Sequence, residues 1–122
     1  MLANSYTVNL GATPVILTKV NQDAYTSNFF AKVGTDKDVT LTIKHTFPKK
    51  RNASGVESHL ARVDVNYYDA ATQSLLRTVS QWTVWQTSGL YQIDADSASV
   101  QKFLKDFVAA AGVEAAVLGR ES

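Results

Sequence analysis

The 122-residue sequence contains no cysteine. That excludes a disulfide framework and any reaction that needs a thiolate. It has two prolines and six glycines, far short of the composition of a collagen-like or Pro/Gly-rich disordered chain. No apolar run approaches the roughly 20 residues that span a bilayer, so no membrane partner is expected. The first ten residues, MLANSYTVNL, lack the basic start and apolar stretch of a secretion signal. Synthesis in the cytoplasm is therefore the expectation, and the sequon Asn52–Ser54 reads as plain loop. No Gly-rich phosphate loop, nucleophile elbow or triad spacing is visible. No enzyme activity, catalytic residue or cofactor is expected.

What is present is enough apolar material for a core, 45% of the residues, in a chain of one domain's length spanning 1–122. Net charge is only +1, but its distribution is uneven. Residues 19–62 carry +4, residues 63–122 carry −3, and residues 1–18 carry no charged side chain. Such asymmetry fits a one-sided polyanion site, and equally a solvated lysine-rich loop.

Alternating patterns dominate the first three quarters. Tyr6–Leu10 and Val15–Val20 flank Gly11–Pro14 and read as a hairpin within residues 1–20. Ala24–Phe30, Val39–Phe47, His59–Tyr68 and Leu75–Gln86 follow as strands, with Leu90–Ile93 as an extension past Gly89. The sheet region is thus 15–93, five strands beyond the first arm of the hairpin. Pro48 ends the Val39–Phe47 strand by withholding a ladder donor. Only then does the period change: Val100, Phe103, Leu104, Phe107, Val108 and Ala111 form one helical stripe. Asp96 or Ser97 suits its N-cap, Gly112 its end, and Val113–Leu118 a second short helix, so helices occupy 96–118. This order defines an α+β fold with an antiparallel sheet and C-terminal helices.

The strand Val39–Phe47 carries Val39, Leu41 and Ile43 on one parity and Thr40, Thr42, Lys44 and Thr46 on the other. A loop centred near Asn52 sets Ile43 opposite Ala61, Leu41 opposite Val63 and Val39 opposite Val65, so that the apolar sets coincide. The polar face then bears Thr40, Thr42, Lys44, Thr46, Arg62, Asp64 and Asn66. The basic run Lys49-Lys50-Arg51 lies at one end. Lysine and arginine neutralise phosphates, while threonine and asparagine bond bases, sugars or phosphates. An exposed aromatic ring stacks an unpaired base. Trp82, on the parity of Thr78 and Ser80, is the candidate platform. Trp85, on the other parity, competes with it, and one of the two is expected in the core. The bland alternative for this face is a solvated sheet surface.

Two other constellations stand out. His45 and His59 face each other in the same register, on the apolar parity. Zinc requires three or four ligands and no third is evident, so packed histidines are the default and no metal is expected. Asp94 and Asp96 could offer oxygen ligands to calcium, but helix capping explains them as well.

The order of elements resembles the coat proteins of single-stranded RNA bacteriophages, the levivirus-like group. The likeness is carried by Lys19–Ser27 (KVNQDAYTS), Ile43–Thr46 (IKHT) and the C-terminal DFVAAAGVEAAVLGR. The resemblance implies a capsid protein that forms an interlocked dimer with a continuous ten-stranded sheet. It implies assembly of dimers into an icosahedral shell, usually of triangulation number three (T=3), and location in the virion after synthesis in the bacterial host cytoplasm. It further implies a sheet facing genomic single-stranded RNA and, in many members, binding of an RNA hairpin that represses translation. The RNA contacts carried over are Thr40, Thr42, Lys44, Thr46, Arg62, Asp64, Asn66 and Trp82, with Lys49, Lys50 and Arg51 as non-specific phosphate contacts. The loop Asp69–Ser74 would lie around the symmetry axes. It has no proline, which argues against a proline-based switch between loop conformers. The alternative to a coat protein is a small cellular α+β domain that binds RNA or a ligand without assembling.

Element widths also imply a dimer. Five strands about 4.8 Å apart form a sheet roughly 24 Å wide, whereas one helix is about 10–12 Å across. One helix and a hairpin leave part of that face open, so the helices of a second copy are expected on it. Sedimentation at micromolar concentration checks this: a dimer or larger species is expected, and a stable folded monomer contradicts it.

Overall fold

The computed structural model describes residues 2–47, 56–88 and 94–119. The strands are β1 (Ser5–Leu10), β2 (Thr13–Gln22), β3 (Thr26–Val33), β4 (Lys37–Thr46), β5 (Val56–Tyr68) and β6 (Leu75–Ser88). They form one six-stranded sheet in sequence order. The hairpin therefore continues the ladder, and β2 belongs to both hairpin and sheet. Two helices follow, α1 (Asp94–Ala109) and α2 (Val113–Leu118). Among the described residues no helix is long and apolar enough to cross a membrane.

Local chemistry explains the departures from the sequence pattern. Pro14 lies within β2, not in the turn, which is only Gly11-Ala12 with Gly11 at φ 61°. Pro14 is tolerated because β2 pairs only with β1 at this point; its pairing with β3 begins at Thr18. β3 starts at Thr26, not Ala24, because the Asp23 carboxylate accepts hydrogen bonds from the backbone N–H groups of Tyr25 (2.8 Å) and Thr26 (2.7 Å). That local turn competes with strand geometry. Between Lys19 and Asn21 the β2–β3 register shifts by one residue, leaving Val20 as a bulge.

The β4–β5 register is the one the apolar alternation requires. Val39 faces Val65, Leu41 faces Val63 and Ile43 faces Ala61. The sheet curls so that β2 reaches strands it does not pair with: Val15 and Leu17 share a core with Phe29, Ala31, Val39 and Val65. The edge of the Tyr6 ring packs against Phe29, with centroids 5.5 Å apart.

The helices belong to a second compact unit and are described by themselves. α1 begins at Asp94, two residues earlier than its pattern suggested, so Asp96 and Ser97 lie in its first turn and do not cap it. Acidic residues there still favour the helix dipole. The chain turns between the helices at Gly112, whose φ of 82° suits glycine. The apolar stripe of α1 is exposed in the single chain, Phe103 at 76%.

Phe29 is fully buried. Replacing it with alanine removes the ring that Tyr6 and the core pack against. A destabilisation of about 3–5 kcal/mol is expected, measured by urea unfolding at fixed protein concentration.

Candidate nucleic-acid interface

Pleating and register assemble the polar face. In β4 and β5, Thr40 faces Asp64, Thr42 faces Arg62, Lys44 faces Leu60 and Thr46 faces Ser58. β3 extends the same rows: Thr26 faces Lys44, Asn28 faces Thr42 and Phe30 faces Thr40. β6 joins them through side chains. Thr78 Oγ1 donates to Asn66 Oδ1 at 2.7 Å, Ser80 Oγ donates to Asp64 Oδ1, and the Arg62 guanidinium lies 5.2 Å from the Trp82 ring centre. The result is a four-strand ladder of small polar side chains with an aromatic ring at one margin.

The ladder is cross-linked. Thr42 Oγ1 donates to Asn28 Oδ1 at 3.2 Å. Asn66 Nδ2 donates to Asp38 Oδ1 at 2.8 Å, and the Tyr68 hydroxyl donates to Asp38 Oδ2 at 2.7 Å. Arg62 grips Asp64 through Nε, 3.1 Å from both carboxylate oxygens, and through Nη2 at 3.0 Å from Oδ1. These donors, Arg62 first and Ser80 second, hold the Asp64 carboxyl below its ordinary 3.8. The Tyr68 hydroxyl is pushed above its ordinary value by its hydrogen bond to Asp38.

Trp82 is 57% exposed on this face. Trp85 lies on the opposite parity and is half-buried, so neither tryptophan is a core residue. Lys44 is exposed and has no ion-pair partner among the described residues. Arg62 differs, since its charge is largely matched by Asp64. The structure therefore brings together Thr40, Thr42, Lys44, Thr46, Arg62, Asp64, Asn66 and Trp82. Lys49, Lys50 and Arg51 lie outside the described residues, as does the Leu90–Ile93 strand extension.

The sequence pattern missed the β3 margin, Asn28 and Phe30, and the Asp38–Tyr68 corner. Gly34, at φ 63°, marks the tight β3–β4 turn that sets this register. Centring the turn on the next residue, Thr35, would have found both Asn28 opposite Thr42 and Phe30 opposite Thr40.

The histidines do face each other. Their Nδ1 atoms are 2.7 Å apart, and His59 Nε2 lies 3.0 Å from Glu57 Oε1. Glu57 thus sits on the far side of the His59 ring. The three groups form a chain, not a converging ligand shell, and no metal-binding group of three is found among the described residues. The calcium reading rests on Asp94, whose side chain is outside the described residues.

Known structures with the same arrangement of strands and helices are phage coats. The fold matches the virus-like particle of Beihai levi-like virus 21 (TM-score 0.77, 17% identity, covering 100% of this chain and 98% of that one). It also matches the bacteriophage EMS014 coat protein (TM-score 0.70, 16% identity, 92% and 80%) and the bacteriophage GA capsid protein (TM-score 0.57, 12% identity, 98% and 95%). The architecture is that of RNA-phage coat proteins. No curated protein matches the sequence. Residues 3–88, well over half of the chain, match the family described as phage phiCb5, coat protein, and the chain belongs to that family. It is a structural capsid protein, which sets aside both catalysis and the cellular-domain alternative.

The Asp64 clamp gives a pH-dependent expectation. A carboxyl held low in the folded state contributes stability above its ordinary value and loses it as pH falls through the folded value. Asp64→Asn should therefore flatten the acid limb. Denaturation midpoints compared at about pH 5 and about pH 3 should fall less in the variant than in the unchanged protein.

Proposed function

We propose that this coat protein assembles as dimers into an icosahedral shell and binds genomic single-stranded RNA on the polar face of its sheet. The observation that carries the RNA reading is the four-strand ladder, with the exposed Trp82 ring beside the Arg62–Asp64 clamp. Short hydroxyl and amide side chains between an aromatic platform and an unpaired lysine suit unstacked bases and their phosphates. Thr40, Thr42, Thr46 and Asn66 contact bases and sugars. Asp64 accepts from exocyclic amines and orients Arg62. Lys44, with Lys49, Lys50 and Arg51, meets phosphates. Asn28 and Phe30 extend the site onto β3.

Two features support the dimer. β6 is a 14-residue strand at the sheet edge, and an open edge of that length invites pairing with another chain. The exposed stripe of α1 likewise calls for an apolar partner surface. Pairing of β6 with a second β6 makes the sheet continuous: β2–β6 of each chain give the expected ten strands, and β1, which pairs with β2, adds one more at each outer edge. The helices of each copy then cover the sheet of the other. Dimers close into a shell with T=3 quasi-symmetry, and the loop Asp69–Ser74 surrounds its axes. That loop is held by Asp69, whose carboxylate accepts from the backbone N–H of Ala71 and Thr72. Those bonds, Thr72 first, keep its carboxyl below the ordinary value. Binding of an RNA hairpin, with repression of translation, belongs to the same face, and synthesis precedes assembly in the bacterial cytoplasm.

Size-exclusion chromatography with absorbance at two ultraviolet wavelengths, followed by electron microscopy, should show uniform particles containing nucleic acid. Lys44→Ala combined with Arg62→Ala should leave dimers intact, weaken RNA binding and lower its salt slope by about 1. Trp82→Ala should cost about 1–3 kcal/mol of RNA affinity. Unchanged affinity in both variants would count decisively against the assignment.

A further inference from the structure

Phe29 and Phe30 are neighbours in β3, and pleating sends them to opposite faces of the sheet. Phe29 fills the core. Phe30 lies on the polar face, 37% exposed, between Thr18 of β2 and Thr40 of β4. We propose that Phe30 and Lys32 form a second subsite for single-stranded RNA, in which an unpaired base stacks on the Phe30 ring and a phosphate meets the Lys32 ammonium. The inference rests on the RNA-binding reading of this face and adds a platform on the margin remote from Trp82.

An exposed phenylalanine by itself indicates nothing. The second observation is the state of Lys32. It lies two residues further along β3 on the same face, about 7 Å from Phe30, and it faces Asp38 across the ladder. That carboxylate is engaged elsewhere. Asp38 is buried, and it accepts from Asn66 Nδ2 at 2.8 Å on one oxygen and from the Tyr68 hydroxyl at 2.7 Å on the other. The other carboxylate at this end, Asp36, pairs with Lys37 at 3.8 Å. Lys32 is thus exposed with no ion-pair partner among the described residues. A nucleotide carries a π face and a negative charge on one sugar, so an unmatched ammonium beside an exposed ring is complementary to it. The charge of Asp38 stays close and tempers the attraction for phosphate, so the ring supplies the larger share of the hold.

Spacing makes this subsite distinct from the one at Trp82. Trp82 stands on the row of Arg62, Thr42 and Asn28, whereas Phe30 stands on the next row, with Thr40 and Asp64. Three strand spacings separate the two rings by about 14 Å across the sheet, and the change of row adds about 7 Å along it. Stacked bases rise only about 3.4 Å per nucleotide. One stacked pair therefore does not reach both rings, and they hold different bases. The cations are separated in the same way. Lys44 faces Thr26, six residues from Lys32 along β3, so the two stand about 20 Å apart and meet different phosphates.

Ultraviolet crosslinking of the purified protein to a mixed-sequence single-stranded RNA oligomer, read by mass spectrometry, locates the contacts. Nucleotide adducts are expected at Phe30 or Lys32 as well as at Trp82. Phe30→Leu, which keeps apolar bulk and removes the ring, should weaken binding of that RNA by about fivefold or more, and Phe30→Tyr should retain it. Lys32→Gln should lower the salt slope by about 0.7. Adducts at Trp82 with none at Phe30 or Lys32 overturn the second subsite and leave the RNA-binding reading standing. Equal affinities of the unchanged protein and Phe30→Leu, or equal weakening by Phe30→Leu and Phe30→Tyr, do the same. Absence of adducts anywhere on the polar face overturns both. If Phe30→Leu fails to fold, the adducts on the unchanged protein and the salt slope of Lys32→Gln decide.

Discussion

Everything on the functional face depends on one alignment, the antiparallel register between β4 and β5. Ten residues of β4 each have a partner on β5, from Lys37 with Tyr67 to Thr46 with Ser58. A slip by one residue would turn Thr40, Thr42 and Lys44 away from Arg62 and Asp64 and set polar side chains against the core. Val39 and Val65 resist the slip, because both are buried in the cluster formed by Val15, Leu17, Phe29 and Ala31. The face that meets solvent is thus specified by the face that does not. The hairpin matters to the site for the same reason, since β2 supplies two of those core residues.

The electrostatics of the face are less basic than its lysines and arginine suggest. Arg62 commits its guanidinium to Asp64 and to the Trp82 ring, and Asp38 is engaged by Asn66 and Tyr68. Arg62 and Asp64 offset each other, and among the described residues Lys44 and, opposite Asp38, Lys32 are the exposed cations of this face without an ion-pair partner. In the proposed RNA-binding role, these lysines would meet phosphates and the middle of the face would serve groups that form hydrogen bonds.

Much of this arrangement was legible in the residues. Period-two alternation identified the strands, and coincidence of apolar sets identified the β4–β5 register, because burial on one face penalises every other alignment. The facing of His45 and His59 came with it. What alternation does not encode is local competition. Asp23 folds its carboxylate onto the following backbone and delays β3, and Val20 bulges because the two ends of β2 keep different registers. The β3 margin was missed because its register depends on the Gly34 turn and not on apolar coincidence. Glu57 was missed because no pattern marks a carboxylate that bonds the ring two residues along the same strand. The start of α1 shifted because an acidic, serine-rich first turn reads equally well as cap or helix.

The side chains that make up the ladder are mostly short. Threonine, asparagine, serine and aspartate have few rotamers, and here Asn28, Thr42, Asp64, Asn66, Thr78 and Ser80 are tied to a neighbour across the strands. Long flexible side chains lose about 1.5–2 kcal/mol of rotamer freedom when they are fixed. A surface already fixed by its own hydrogen bonds has little of that freedom left to lose on contact. The proposed RNA recognition on such a face would therefore be preorganised: the ordering was completed when the sheet formed.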